Sequence, residues 1–412
     1  MGVSRDISSE THGAATMSDD TKTFETIDWS QHSPNRFVLD YSTIGFLITF
    51  AGLVGSFLYD FFFVPDGIVL YGLFAPDLID WLSILSGLLI FFYVLVPLVR
   101  EYELTLRYWR RLRRKPAAMA SLVYLTIFVV VGLLGPEVYG PPAHAPLWDS
   151  LNVRGGTPPM QPPFWMSIPV EQLTPFYCGI EPVNGQCSGT LTHPLGTTAR
   201  GRDVLGVVIA GSRLALKVAV ITATLLVPLG TAVGAIAAYY GGWTDAGMMR
   251  YLDLQGAIPS FLVYFLYQFL YGPSVGALIV LFGLLGWDRV ARRVRNDALR
   301  LRSAGFVRSA EAAGSPPTDV VRRHLVPNVS ATVVSALTIQ LPFILLMEAT
   351  LAFFGLTQAD MNSWGRSISK GLGSGLWWEY GFPALALVVT VVALATLGNG
   401  LYDTFETRRE ET

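Results

Sequence analysis

Residues 306 to 328 read FVRSAEAAGSPPTDVVRRHLVPN, a charged, helix-forming segment between two long apolar spans. In its first half Phe306, Val307, Ala310 and Ala313 recur at helical spacing, while Arg308 and Glu311 share the other side one turn apart. Gly314 and the Pro316-Pro317 pair stop the helix and turn the chain. In the second half Thr318 is placed to cap, Val320, Val321, His324 and Leu325 form one face, and Arg322 and Arg323 point away from it. Pro327 is expected to end this second helix. The pattern predicts a short amphipathic helix pair at a membrane surface, a shape that fits a groove on a soluble partner. A plain cytoplasmic connector is the competing reading.

Outward from this segment the composition sets the class. Of 412 residues, 51% are hydrophobic and only 15% charged, and the mean hydropathy is +0.44, too apolar for an ordinary soluble domain. The expected fold is all-α, a polytopic transmembrane helical bundle of about eight spans. These are residues 44–64, 81–99, 117–134, 216–239, 258–271, 275–287, 329–354 and 382–401. The fifth and sixth are short, and flanking amphipathic residues are expected to complete them. Residues 204–209 read instead as an amphipathic helix on the outer surface.

Charge is segregated along the chain, so the net value of −2 says little about partners. Asp66, Asp77 and Asp80 lie between the first two spans, and Arg100, Arg107, Arg110, Arg111, Arg113, Arg114 and Lys115 follow the second. A second basic stretch, Arg289 to Arg302, leads into the helix pair. Basic connectors stay inside, which places the N- and C-termini in the cytoplasm of a multi-pass cell-membrane protein. Beside a membrane exit the first basic run reads as a topology signal, not a nucleic-acid patch. Arg213 and Lys217, near the outer end of a span, run against the rule.

Four regions follow: a polar tail at 1–43, a two-span hairpin with its basic connector at 44–115, a third span with a long external loop at 116–202, and a five-span core at 203–412 carrying the segment 303–328. The tail has no apolar run and none of the marks of a cleaved signal, so the first span is expected to remain; Met17 could be the true start. The external loop holds both cysteines, Cys178 and Cys187. In an oxidising compartment a disulfide is favoured over free thiols, and two thiols with a distant His193 are too few for a metal site. Glu348 lies within an apolar span, where an ionisable group must face the bundle interior or find a partner. Pairing between helices is the leading reading and a substrate-contacting or gating role the alternative. Gly230, Gly234, Gly283 and Gly286 are expected to permit close helix approach.

Several of these stretches resemble one family. The spacing from Gly314 to Pro327, followed by Asn328 and a new apolar span, is similar to the loop with which ABC importer permeases dock onto their nucleotide-binding subunits. The family pattern is Glu-Ala-Ala, three residues, Gly, nine residues, Ile-x-Leu-Pro. Counted back from Gly314, its Glu-Ala-Ala falls on Arg308, Ser309 and Ala310, whereas the literal Glu311-Ala312-Ala313 comes one turn later. The docking role of the loop carries over, with Arg308 to Gly314, His324, Pro327 and Asn328 as its residues, but no individual contact of the family's Glu does. His193-Pro194-Leu195-Gly196-Thr197 and Gly201-Arg202-Asp203-Val204-Leu205 resemble the segment before the core in C-type permeases of dipeptide, oligopeptide and nickel importers. Where Thr198 stands the family usually has Asp. Glu348 to Leu356 and Ser363-Trp364-Gly365 also resemble family stretches.

The resemblance covers residues 193 to 405 well and the third span loosely; the first two spans have no counterpart in it. It implies a transport subunit, not an enzyme, that forms the pathway for peptides, or a related solute such as nickel, with a second permease subunit. Two ATP-binding cassette ATPase subunits and an extracytoplasmic solute-binding protein complete the assembly, with membrane lipid around the spans and no nucleic acid. No phosphate-binding loop, zinc signature or nucleophile elbow occurs in the chain, so no bound cofactor is expected. A stand-alone secondary transporter or channel would call for an internal repeat or polar relay. A membrane scaffold that recruits a soluble partner is the other alternative.

Overall fold

The structure is a computed structural model that describes residues 41–63, 77–139, 159–169, 185–358 and 362–410. Two long apolar helices come first, α1 (Tyr41–Phe63) and α2 (Leu78–Arg100), the latter with a π-turn at Phe91–Leu95. A basic amphipathic helix, α3 (Tyr102–Leu112), leads into α4 (Pro116–Tyr139). The loop after α4 contributes a small antiparallel hairpin, β1 (Ser167–Pro169) and β2 (Gln186–Ser188), with Ile168 opposite Cys187. Cys187 is fully buried and disulfide-bonded; Cys178, its expected partner, lies outside the described residues.

The central element is α5 (Val204–Tyr240), 37 residues without interruption. At about 1.5 Å per residue it is about 55 Å long, well beyond a hydrocarbon core of about 30 Å. The expected outer-surface helix at 204–209 is therefore the first turns of this same rod. Those turns are not held at a surface, because Val204, Val207, Ala210, Gly211 and Leu214 are buried along one face. Trp364 closes that face by donating its indole N–H to the Val208 carbonyl at 3.0 Å.

After α5 come α6 (Gly242–Ala257), α7 (Ser260–Tyr271), α8 (Val275–Leu285) and α9 (Asp288–Arg302). Among the described residues six helices are long and apolar enough to cross a membrane. The other two expected spans are α7, with 12 residues, and α8, with 11, each well short of the roughly 20 that a crossing needs. Their neighbours α6 and α9 stand as separate helices, broken off at Pro259 and Gly286.

The helix pair follows as α10 (Gly305–Ala312) and α11 (residues 317–328), then α12 (Ser330–Phe353), α13 (Trp364–Ser374) and α14 (Trp377–Glu410). Where the sequence suggested only an external loop, α13 is an additional helix. Close approach is possible because small residues line the contacts. A Cβ on Gly234 would lie 2.5 Å from the Ala291 carbonyl of α9, and one on Gly365 only 1.9 Å from the Ala349 carbonyl of α12.

The first two helices meet this core along α5. Lys217 pairs with Asp80, and Ser86 and Thr224 share a hydrogen bond of 2.8 Å. Arg213 donates to Glu137 at 3.0 Å and to the Leu133 and Gly132 carbonyls. The two cations that ran against the topology rule are thus compensated by acidic residues from α2 and α4.

Candidate functional site: the helix pair and its connections

The pair folds as expected at its centre. Val307, Val320 and Leu325 are fully buried against one another, with Tyr239, Leu301, Ala310 and Val321 packed around them. Gly314 turns the chain at a φ of +81°, a conformation that a side chain would strain. Its N–H bonds the Glu311 carbonyl and the Ser315 N–H bonds that of Ala310, which satisfies the carbonyls left open at the end of α10.

Two expectations change. Thr318 does not cap the second helix: Pro316 holds the cap position and Pro317 the first helical turn, where a missing N–H costs nothing. Nor does Pro327 end it. Residues Val320–Leu325 widen into a π-turn, Pro327 sits within the last turn at Val326–Asn328, and Val329 alone separates that turn from α12. Pro327 lacks the N–H that an α-helix would direct to Arg323, and the Val326 N–H reaches back five residues to Val321. The second arm therefore runs almost directly into the membrane helix that carries Glu348.

Of the residues assigned to the loop, Arg308, Ser309, Glu311, Ala312, Ala313, Gly314, Pro327 and Asn328 are exposed, whereas Ala310 and His324 are half-buried. Ser309 and Asn328 bond back within their own arms, to the Gly305 and His324 carbonyls. Phe306 lies beside the His324 ring, with centroids 6.5 Å apart. Tyr239, near the end of α5, packs on the buried centre of the pair, and Arg302 donates to the Ala238 carbonyl at 3.3 Å. The pair is thus tied to both α5 and α12.

The basic stretch before it does more than mark topology. Arg295 grips Asp245 of α6 with two bonds of 2.5 Å, and those bonds hold the Asp245 carboxyl below its usual range. Arg292 pairs with Asp253 at 2.8 Å, Arg293 donates to the Ser335 carbonyl of α12, and Asp297 accepts from Thr332. A run of arginines that reads as a uniform charge patch in sequence is a set of clamps around α9.

At the opposite end, Glu348 is buried on α12 and its carboxylate faces the Ser363 hydroxyl at the start of α13. Among the described residues its Oε1 has no hydrogen-bond partner, and no cation pairs with it there. His193, given no chemistry from sequence, bonds Asp203 at 3.0 Å. Asp203 also accepts from Tyr139 at 2.6 Å and caps α5 through the Leu205 N–H.

Sequence reasoning missed the cluster next to these residues. Arg200 and Arg202, from a turn at Gly201, meet Arg366 and Lys370 of α13 and Glu379 of α14 around one small cleft. The two arginines were visible within the quoted external motif, but their neighbours lie more than 160 residues along the chain.

Comparison with known proteins places both ends in one family. Residues 230–411 match the family described as binding-protein-dependent transport system inner membrane component. Residues 103–163 match the N-terminal TM domain of oligopeptide transport permease C. The dipeptide transport system permease protein DppC of Bacillus subtilis is 30% identical over 302 residues, 72% of this chain and 84% of its own length. The oligopeptide transport system permease protein OppC of Haemophilus influenzae is 35% identical over 217 residues, covering 52% and 70% respectively. OppC of Bacillus subtilis is 30% identical over the same length, covering 52% and 71%. Helices α1 and α2 fall outside both family matches.

Proposed function

Since the chain belongs to the binding-protein-dependent transport permeases, as a C-type subunit of the peptide-transporting ABC group, we propose that it couples ATP hydrolysis in separate subunits to peptide import. It is a multi-pass membrane protein and a transport subunit, not an enzyme. In this reading it pairs with a second permease subunit, rests on two ATP-binding cassette subunits, and receives peptides from an extracytoplasmic binding protein. It binds no cofactor itself. The basic connectors put the helix pair and both termini in the cytoplasm.

One observation carries the proposal: an exposed helix pair packs its buried centre against Tyr239 of α5 and continues at its second arm into α12. Displacement of the pair by a closing ATPase dimer would move both helices together. A two-state change of this kind requires the partner to contact the two states differently. Peptide selection in the membrane is supported by a cavity of about 300 Å³ beside α12, lined by Gln255, Gln340, Asp288 and Arg289 as well as apolar groups. Side-chain amides there suit a peptide backbone, which offers donors and acceptors in alternation.

The test is Gly314→Pro, which cannot adopt the φ of +81° found at this turn. Purified from native membranes, the wild-type chain should bring the ATPase subunits with it and the variant should lose them while its membrane helices remain folded. Peptide transport by the isolated chain in liposomes would overturn the proposal, as would labelling that reaches Arg308 to Arg323 only from outside. For the substrate, a deletion strain should fail to grow on peptides as sole nitrogen source.

A further inference from the structure

The small cleft at the outer end of the bundle is lined mainly by cations among its charged groups. Four cations line it, Arg200, Arg202, Arg366 and Lys370, against one carboxylate, Glu379. That carboxylate is already engaged, because its Oε2 accepts from the Ala199 N–H at 3.1 Å and from the Ser374 hydroxyl at 2.7 Å. Among the described residues no ion pair within 4.0 Å joins Arg200, Arg366 or Lys370 to a carboxylate. Among the described residues the Arg366 Nε is buried without an acceptor, and buried donors are nearly always satisfied. Mutual repulsion leaves its trace on the titrating groups. Burial and the neighbouring Arg200 bring Arg202 down to about 10, and burial, with Arg366, Arg202 and Arg200, lowers Lys370.

The framework around the cleft is rigid. The turn that presents Arg200 and Arg202 is closed by the Thr198 N–H to the Arg202 carbonyl and by the Arg202 N–H to the Thr198 hydroxyl. Trp378, almost fully buried, bonds the Thr197 carbonyl at 2.9 Å and pins the same segment to α14. The free space is about 30 Å³, room for a group of one or two water volumes. A carboxylate fits and a whole peptide does not.

From this we infer that the cleft is a subsite for the terminal carboxylate of a peptide arriving at the outer face, held by Arg366 and Lys370 with Arg200 and Arg202 supplying the field. The inference rests on the reading of the chain as a peptide permease. Guanidinium groups suit the task because their planar donors match a carboxylate. The same carboxylate chemistry could come from an acidic side chain of the external binding protein, and the experiment separates the two sources.

The intact transporter in lipid vesicles is exposed from outside to an amine-acylating reagent, and modification of Lys370 is followed by mass spectrometry. Trialanine should slow that modification severalfold, and trialanine amide should not. Arg366→Gln should abolish the protection. In uptake assays Arg366→Gln should raise the KM for trialanine about tenfold, the loss of roughly one charge-assisted bond, with kcat and uptake of the amide unchanged. Equal protection by both peptides, or by neither, overturns the inference. So does an equal fall in uptake of both, the result of a purely structural role. Protection by the binding protein without any peptide also overturns it and assigns the cleft to that protein. Protection by trialanine in a transporter that moves no peptide would instead sink the import reading and leave the carboxylate site standing.

Discussion

The first two helices and the core are built from similarly apolar segments, yet they use them in opposite ways. In α1 no residue of the most apolar window is buried, whereas in α5 more than half are. The hairpin touches the core through a few specific contacts, Asp80 with Lys217 and Ser86 with Thr224 among them. The core is joined by continuous packing, with glycines where backbones nearly touch. Apolar length is sufficient to place a helix in a bilayer, but burial within a bundle requires small residues at the right faces. The hairpin is accordingly an appended element whose side chains the other described helices leave mostly uncovered.

Substitutions test this contrast directly. The largest effect is expected for Gly365→Val, whose new side chain would start 1.9 Å from a backbone carbonyl. Loss of about 3 kcal/mol or more should appear as a collapse of the melting transition in detergent. Next comes Asp245→Asn, which removes the charge gripped by Arg295 between α6 and α9. A cost of about 2 kcal/mol is expected near neutral pH. Because the folded carboxyl lies below its ordinary value, its stabilisation is fully present above about pH 4 and fades as pH falls through the folded value. Melting curves of the wild type and variant should therefore converge in acid; a constant gap would show that Arg295 does not act through the charge.

A smaller effect is expected in the hairpin. Asp80→Asn weakens its pair with Lys217, and a loss of about 1 kcal/mol should appear as easier proteolysis between α1 and α2, with the melting of the core unchanged. If the core transition falls as well, the hairpin is not appended but integral. The smallest effect belongs to Gly55→Val, on a glycine with nothing within 4 Å. A change within about 0.5 kcal/mol is expected, and a larger loss would reveal a contact on a face that no other described helix covers.

The turn at Gly314 and the faces of the helix pair were legible because they depend on neighbours within two helical turns. So was the demand that Glu348 lie inside the bundle. The continuation past Pro327 was not, since proline is read as a stop unless the chain can shift its hydrogen bonds to a wider turn. The 37-residue rod was hidden for a related reason. In its first turns Val204, Leu205, Val208 and Ile209 read as the one apolar face of a surface helix, and only Trp364 packing on Gly211 shows that these turns are covered. The outer cation cluster left even less trace, because Arg202 and Arg366 meet only after the intervening helices have crossed and returned.

The sequence alone determined that the chain is a helical membrane protein, which segments are apolar, and where the helix pair begins to turn. Those properties follow from local chemistry, because a bilayer forces each backbone segment to satisfy its own hydrogen bonds. Only the tertiary structure decided which helices are buried, that α7 and α8 are helices of 12 and 11 residues separate from their neighbours, and that four cations share one cleft. Those outcomes depend on distances between residues remote in the chain, set by how side chains of different size allow the helices to approach.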